Sequence, residues 1–255
     1  MNMNKPKQAS LFDIKAYSYS DIDLFLQCPL RYKYGVIDGL PHKYQNTYYI
    51  RIGANIHNTL KEFYEINDCK NRNFDNLIEI LKPKWNKSVF KSLDESEYWF
   101  EIVESSLRNY LNIDSSYMSD ITLCNEKKFH FELKGSYLTG KIDRIDKISG
   151  DDVEVIDYKT GNFLGSTEEH IKDDLQWIFY YLGSKKFFKL NPTKITFYYI
   201  FANKKISFSP NDTEINIATE KLLRIINQIK NTKDFKATPN KFCSNCLFID
   251  KCKEK

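Results

Sequence analysis

The hydrophobic pattern of this chain changes period once. Through its first half apolar positions recur at the three-to-four residue spacing of helices. In "SYSDIDLFLQCPLRYKYG" the apolar stripe is Ile22, Phe25 and Leu26, with Ser20 as the expected helix cap and Asp23 three residues on. Pro29 should break or restart that helix directly after Cys28. "RIGANIHNTLKEFYEIND" places Ile52, Ile56, Leu60 and Phe63 on one face. Two further helices are expected over roughly 74–91 and 95–112, before the polar loop "NIDSSYMSD".

From Asn125 the period becomes two. "EKKFHFEL" alternates as a half-buried strand does. A turn at Lys134-Gly135 leads to "SYLTGKIDRIDKI", and "SGDD" leads to "VEVIDYKTG", which predicts a three-stranded antiparallel meander. "EEHIKDDLQWIFYYLGSKKFF" reads as one strong helix, "KITFYYIFA" and "KISFS" as a strand pair, and "TEINIATEKLLRIINQIKN" as a last long helix. No repeat or long low-complexity tract interrupts this order. The predicted fold is mixed α/β: a central sheet flanked by helices, with the helical region 51–118 covering one side.

Composition narrows the class only a little. The chain has 255 residues, is 42% hydrophobic and carries a net charge of +4. That suits a soluble, mildly basic domain which permits an acidic partner without demanding one. No apolar run approaches the ~18 residues of a membrane span. "MNMNKPKQAS" lacks the apolar centre of a signal peptide, so a cytoplasmic location is expected. In that compartment thiols stay reduced, and the six cysteines read as free thiols or metal ligands rather than disulfides. Residues 1–17 read as a flexible polar arm, and 18–255 as a single domain.

The chemistry concentrates in "GKIDRI" and "VIDYKTG". Asp157 and Lys159 lie two apart on a strand, so they project from one face, with Tyr158 on the other. Asp143 sits near the matching end of the preceding strand. Paired carboxylates suit a hard divalent cation such as Mg²⁺ or Mn²⁺. Such a cation activates water and neutralises charge on a phosphate, and a neighbouring Lys can orient that water.

These residues resemble the core of the PD-(D/E)xK nucleases, in the branch that includes the RecB nuclease domain. That family has a restriction-endonuclease-like sheet. The resemblance implies that Asp143, Asp157 and Lys159 are the catalytic core, in phosphodiester hydrolysis of DNA. "GANIHNTL" resembles the family's G-x-x-x-H helix, which makes His57 a metal ligand. "QWIFY" resembles its Q-x-x-x-Y motif, which puts Gln176 and Tyr180 on one helical face against the nucleic acid. "NEKKFHFEL" resembles the strand carrying a Glu beside the active site, here Glu126. The expected metal ligands are therefore His57, Asp143, Asp157 and the backbone carbonyl of Tyr158.

"CSNCLFIDKC" supplies Cys243, Cys246 and Cys252, and Cys28 precedes Pro29 near the other end. Four thiolates suit either zinc or an iron–sulfur cluster, and spacing does not separate them. The same nuclease branch has members with one Cys before the His helix and three at the C-terminus, binding a 4Fe–4S cluster that joins the chain ends. The resemblance favours that cluster, with 239–255 as its tail. Cys69 and Cys124 read as ordinary thiols, and Arg31, Tyr32 and Lys33 as contacts for DNA.

No G-x-x-x-x-G-K-[ST] loop occurs, so the chain is expected to be a nuclease module without a motor. Two contexts fit the resemblance. One is the CRISPR adaptation nuclease, with integrase partners; the other is a repair or recombination exonuclease related to RecB and AddB, with a helicase partner. The alternative of another class is an iron–sulfur DNA-binding or scaffolding module with little activity.

Overall fold

The computed structural model describes residues 15–40, 48–161, 163 and 165–252. A six-stranded mixed sheet lies at its centre. β1 is Ala16–Tyr17, and the polar arm expected over 1–17 therefore ends in a strand; its first fourteen residues lie outside the described ones. Helix α1 is Tyr19–Gln27, and its cap lies two residues before the expected one. The sequence offers two serines each followed three residues on by Asp. Ser18 is the one used: its hydroxyl accepts from the Asp21 amide at 3.1 Å, and Asp21 accepts from the Ser18 amide at 2.9 Å. Ile22 and Phe25 are buried as expected, whereas Leu26 is 51% exposed because it stands a quarter-turn past the buried stripe.

Cys28 is extended and Pro29 opens the short helix α2, Pro29–Tyr32. Helix α3 is Tyr48–Tyr64, with Ile52, Ile56, Leu60 and Phe63 fully buried. The helix expected over 74–91 is shorter. α4 is Phe74–Leu81, and Pro83, which cannot donate a helical hydrogen bond, leaves only two single 3₁₀ turns after it. α5, Leu93–Ile113, closes the helical region.

β2 (Thr122–Leu133), β3 (Ser136–Ser149) and β4 (Asp152–Lys159) form the antiparallel meander read from the sequence. The expected single helix over 168–188 is three pieces. α6 is Glu168–Asp173, α7 is Gln176–Gly183, and a π-helical turn follows over Ser184–Phe188. The Asp174 carboxylate accepts the Gln176 amide at 2.8 Å, which restarts the helix in a new direction. β5 (Asn191–Tyr199) runs parallel to β4, and β6 (Lys204–Phe208) antiparallel to β5. α8 is Asp212–Asn231.

Two apolar clusters cover the two faces. One packs α1, α7 and α8 on β2–β6; the other packs α3, α4 and α5 on β4 and β5. α7 is buried all round, and this needs close approach to the sheet. A Cβ at Gly140 on β3 would lie 2.4 Å from the Phe129 ring, so only glycine lets that ring lie flat between strand and helix. No helix among the described residues is long and apolar enough to cross a membrane.

The topology leaves one gap. β1 pairs with Tyr137 and Leu138, and β4 pairs from Arg144 onward, on the same edge of β3. Residues 139–143 of β3 have no strand partner on that edge among the described residues, and a pocket opens there.

Candidate active site

The pocket is lined by Ala54, His57 and Asn58 of α3, Lys141 and Asp143 of β3, Asp157, Tyr158 and Lys159 of β4, and Gln176 and Tyr180 of α7. Its floor is a defect in the sheet. On β3, Leu138 and Ile142 join the core under α7, but so does Ile145, so the inside–outside alternation inverts between them. On β2 it inverts as well: Phe129 and Phe131 face that core, and so does Cys124. The inversion falls at Glu126 and Asp143, which stand opposite each other in the register. Glu126 takes a left-handed φ of +49°, costly for a residue with a Cβ. The result is two adjacent carboxylates turned toward α3 at the point where β3 and β4 part.

Asp143 replaces the missing ladder. Its Oδ2 accepts the Tyr158 amide at 2.9 Å. His57 reaches down from α3 and places Nδ1 3.2 Å from Glu126 Oε1 and 3.4 Å from Asp143 Oδ2. These three ligand atoms lie within 4.8 Å of one another. Asp157, on the other side of Tyr158, turns its carboxylate to its own partners. Oδ1 accepts from the Tyr180 hydroxyl and, at 3.4 Å, from Gln176 Nε2; Oδ2 is 2.7 Å from the Lys159 ammonium. Lys159 also donates to Gln176 Oε1.

The electrostatics follow. Burial, then the nearby charge of Asp157, pushes Asp143 above the usual carboxylate range. Burial alone would lower the His57 imidazole, but its hydrogen bonds to Asp143 and Glu126 and the charge of Asp157 raise it to about 10. Burial would likewise neutralise Lys159, and the Asp157 carboxylate outweighs it, so its pKa is raised and the ammonium kept. Glu126 and Asp143, buried together around the His57 imidazole, form a site that a divalent cation would complete.

Comparison with known families decides the assignment, because residues 16–253 match the PD-(D/E)XK nuclease superfamily. The chain belongs to that superfamily. No curated protein matches it. Among solved structures, a candidate exonuclease from Eubacterium rectale is similar at 14% identity, with 96% of this chain and 92% of that chain covered and a TM-score of 0.52. The protein SSO0001 is similar at 14% identity over 96% and 90%, with a TM-score of 0.44. At 14% identity the likeness to the exonuclease structure is one of fold.

The nuclease fold thus brings together His57, Glu126, Asp143, Asp157, Lys159, Gln176 and Tyr180. Glu126, expected beside the site, stands in the ligand group, whereas the Asp157 carboxylate does not. Gln176 and Tyr180, expected against nucleic acid, are turned inward onto Asp157 and Lys159; Tyr180 is buried, and Gln176 Nε2 donates to its hydroxyl at 2.7 Å. Their i, i+4 face is the one that packs on the sheet. Arg31 is elsewhere, bonded to Gln27 at 3.0 Å beside the cysteines.

Lys141 was missed. It lines the pocket and pairs with Glu126, and its position two residues before Asp143 on one strand was the available signal. Arg144 was missed as well. It is fully buried behind the site, bonded to Tyr110 and Asp114 at 2.7 Å each and 3.1 Å from Asp146. Cys28, Cys243, Cys246 and Cys252 all line one other cavity, which joins α1 to the C-terminal tail.

Proposed function

We propose that this nuclease hydrolyses DNA phosphodiester bonds with Mg²⁺ or Mn²⁺, as an exonuclease on single-stranded or end-opened DNA. One observation carries the reading: an imidazole and two carboxylates converge within 4.8 Å in an open pocket, beside an Asp157–Lys159 pair. The donor set, one nitrogen and carboxylate oxygens, fits a hard divalent ion. His57, Glu126 and Asp143 would hold it, with Asp157 and the Tyr158 carbonyl as further ligands. When bound, the ion would acidify a water and neutralise charge on the scissile phosphate. Lys159, held cationic between Asp157 and Gln176, stands ready to orient that water and the phosphate. Tyr180 and Gln176 fix the Asp157 and Lys159 rotamers.

The four cysteines fit a 4Fe–4S cluster. The amides of Thr238 and Asn240 donate to Cys28 Sγ at 3.4 Å and to Cys243 Sγ at 3.3 Å, as suits thiolates. Four thiolates would suit a single zinc or an iron–sulfur cluster, and the likeness to the RecB-like branch is what favours the cluster. Cys28 and the tail would then be tied together, as in the RecB-like branch. On this reading the protein acts in the cytoplasm, in CRISPR adaptation or in recombination and repair, beside an integrase or a helicase.

The test is cleavage of end-labelled single- and double-stranded DNA by protein purified without oxygen, with Mn²⁺ or Mg²⁺. Lys159→Ala, checked for an unchanged absorbance spectrum, runs beside it. Metal-dependent cleavage by wild type alone supports the reading. Failure of the folded, cluster-loaded wild type on every DNA refutes it.

A further inference from the structure

The helices α3–α5 cover only the β4–β5 half of their sheet face. The rest of that face, on the β2–β3 hairpin, is open. It carries Lys128, His130 and Glu132 on β2, and Tyr137, Thr139 and Lys141 on β3, all exposed but the half-buried Thr139. The opposite side of the same hairpin, with Phe129, Phe131, Leu138 and Ile142, is sealed in the core. The open surface is continuous with the pocket, because Lys141 lines both.

Its charge is arranged against stability. Lys128 and Lys141 are direct cross-strand partners, so two ammonium groups project side by side. Like charges at such positions destabilise a sheet. By contrast, Lys194 and Lys205, on β5 and β6, share Glu154 at 3.3 and 3.4 Å. Here Glu126 pairs with Lys141 but not with Lys128, and Lys128 has no ion pair or hydrogen bond among the described residues. Further along the face Tyr137 is open, and the His130 ring lies 4.9 Å from Phe187. Glu132, the acid of this face, stands at its far end, opposite Tyr137.

We propose that this face is a track for the phosphodiester backbone of the polynucleotide strand leading out of the pocket, with Lys128 and Lys141 each holding a phosphate. The repelling pair that costs the empty protein stability is neutralised when a polyanion lies across it, and Tyr137 and His130 offer rings on which bases can stack. The inference rests on the nuclease reading of the pocket, and it extends from Lys141 at the pocket to Lys128, His130 and Tyr137 outside it.

The experiment is fluorescence anisotropy of a labelled oligonucleotide with the full chain in EDTA, where no cleavage occurs, over a salt series. Each lysine on a phosphate contributes about 0.7 to the slope of log affinity against log salt for a single strand, and about 0.9 for a duplex. Lys128→Gln and Lys141→Gln should each lower the slope by that amount, and Lys82→Gln on α4 should leave it unchanged. Lys128→Glu should weaken binding further while melting at or above the wild-type temperature, since it turns repulsion into attraction. Wild-type binding with an unchanged slope in Lys128→Gln overturns the track and leaves the nuclease reading standing. A wild type that neither binds nor cleaves any oligonucleotide overturns both.

Discussion

Replacing Arg144 by Met should unfold more of this protein than any exposed substitution. The guanidinium is 1% exposed. It joins the sheet to α5 through Tyr110 and Asp114, lies 3.1 Å from Asp146, and stacks 4.3 Å over the Tyr64 ring. Met fills a similar volume but leaves Asp114 and Asp146 buried without their cation. Stranding buried charge in this way costs about 3–5 kcal/mol. For a chain of this length that lowers Tm by roughly 6–20 °C.

The pH dependence gives a second, independent sign. Burial would raise Asp114, but Arg144 and the Ser116 hydrogen bond outweigh it and hold its carboxyl at about 2 against 3.8. A depressed pKa contributes stability that is present above 3.8 and lost as pH falls toward 2, here about 2 kcal/mol. Without Arg144 the buried Asp114 titrates above 3.8, so protonation then relieves the variant. Urea unfolding from pH 7 to 4 should show the gap between wild type and variant narrowing as pH falls. Adding Asp114→Asn should recover part of the loss. A deficit under about 1 kcal/mol with an unchanged pH slope would refute the charge network as a structural tie, since such a value is ordinary for a surface site.

In chelated protein the raised His57 pKa contributes stability that is complete below 6.5 and lost as pH rises through about 10. Melting of the metal-free protein should fall over that window, and Mn²⁺ uptake at pH 7.5 should release about one proton per ion. Calorimetry in two buffers of different ionisation enthalpy checks this, and heats independent of buffer would contradict it. Gly140→Ala places a Cβ 2.4 Å from the Phe129 ring and should cost about 1–3 kcal/mol in urea unfolding. Phe129→Leu in the same chain should recover part of it, and strictly additive effects would rule out the clash. If the four cysteines hold the proposed cluster, Cys28→Ser should purify with less iron and melt below the wild type, because the closure between Cys28 and the tail would be lost; iron analysis and melting of both proteins decide it.

Periodicity alone determined the element types here, because burying one face of a helix or strand leaves a pattern in the chain itself. The meander, the buried stripe of α3 and the parting of helical half from sheet half were all legible in it. So were Asp143, Asp157 and Lys159, since strand alternation places two of them on one face and the hairpin brings the third beside them. Where two local signals competed, tertiary packing chose. Ser18 rather than Ser20 caps α1, because that start buries Ile22 and Phe25. Asp174 breaks a run that reads as one helix, because Gln176 and Tyr180 must meet Asp157. The pairing of Glu126 with His57 belongs to the structure alone. It depends on a left-handed residue and an inverted alternation in two strands at once, and strict period-two reading assumes no such inversion. The burial of Arg144 was hidden for the same reason: no local rule puts a guanidinium in a core, and only α5, folding back over the sheet, supplies the carboxylate and phenols that hold it there.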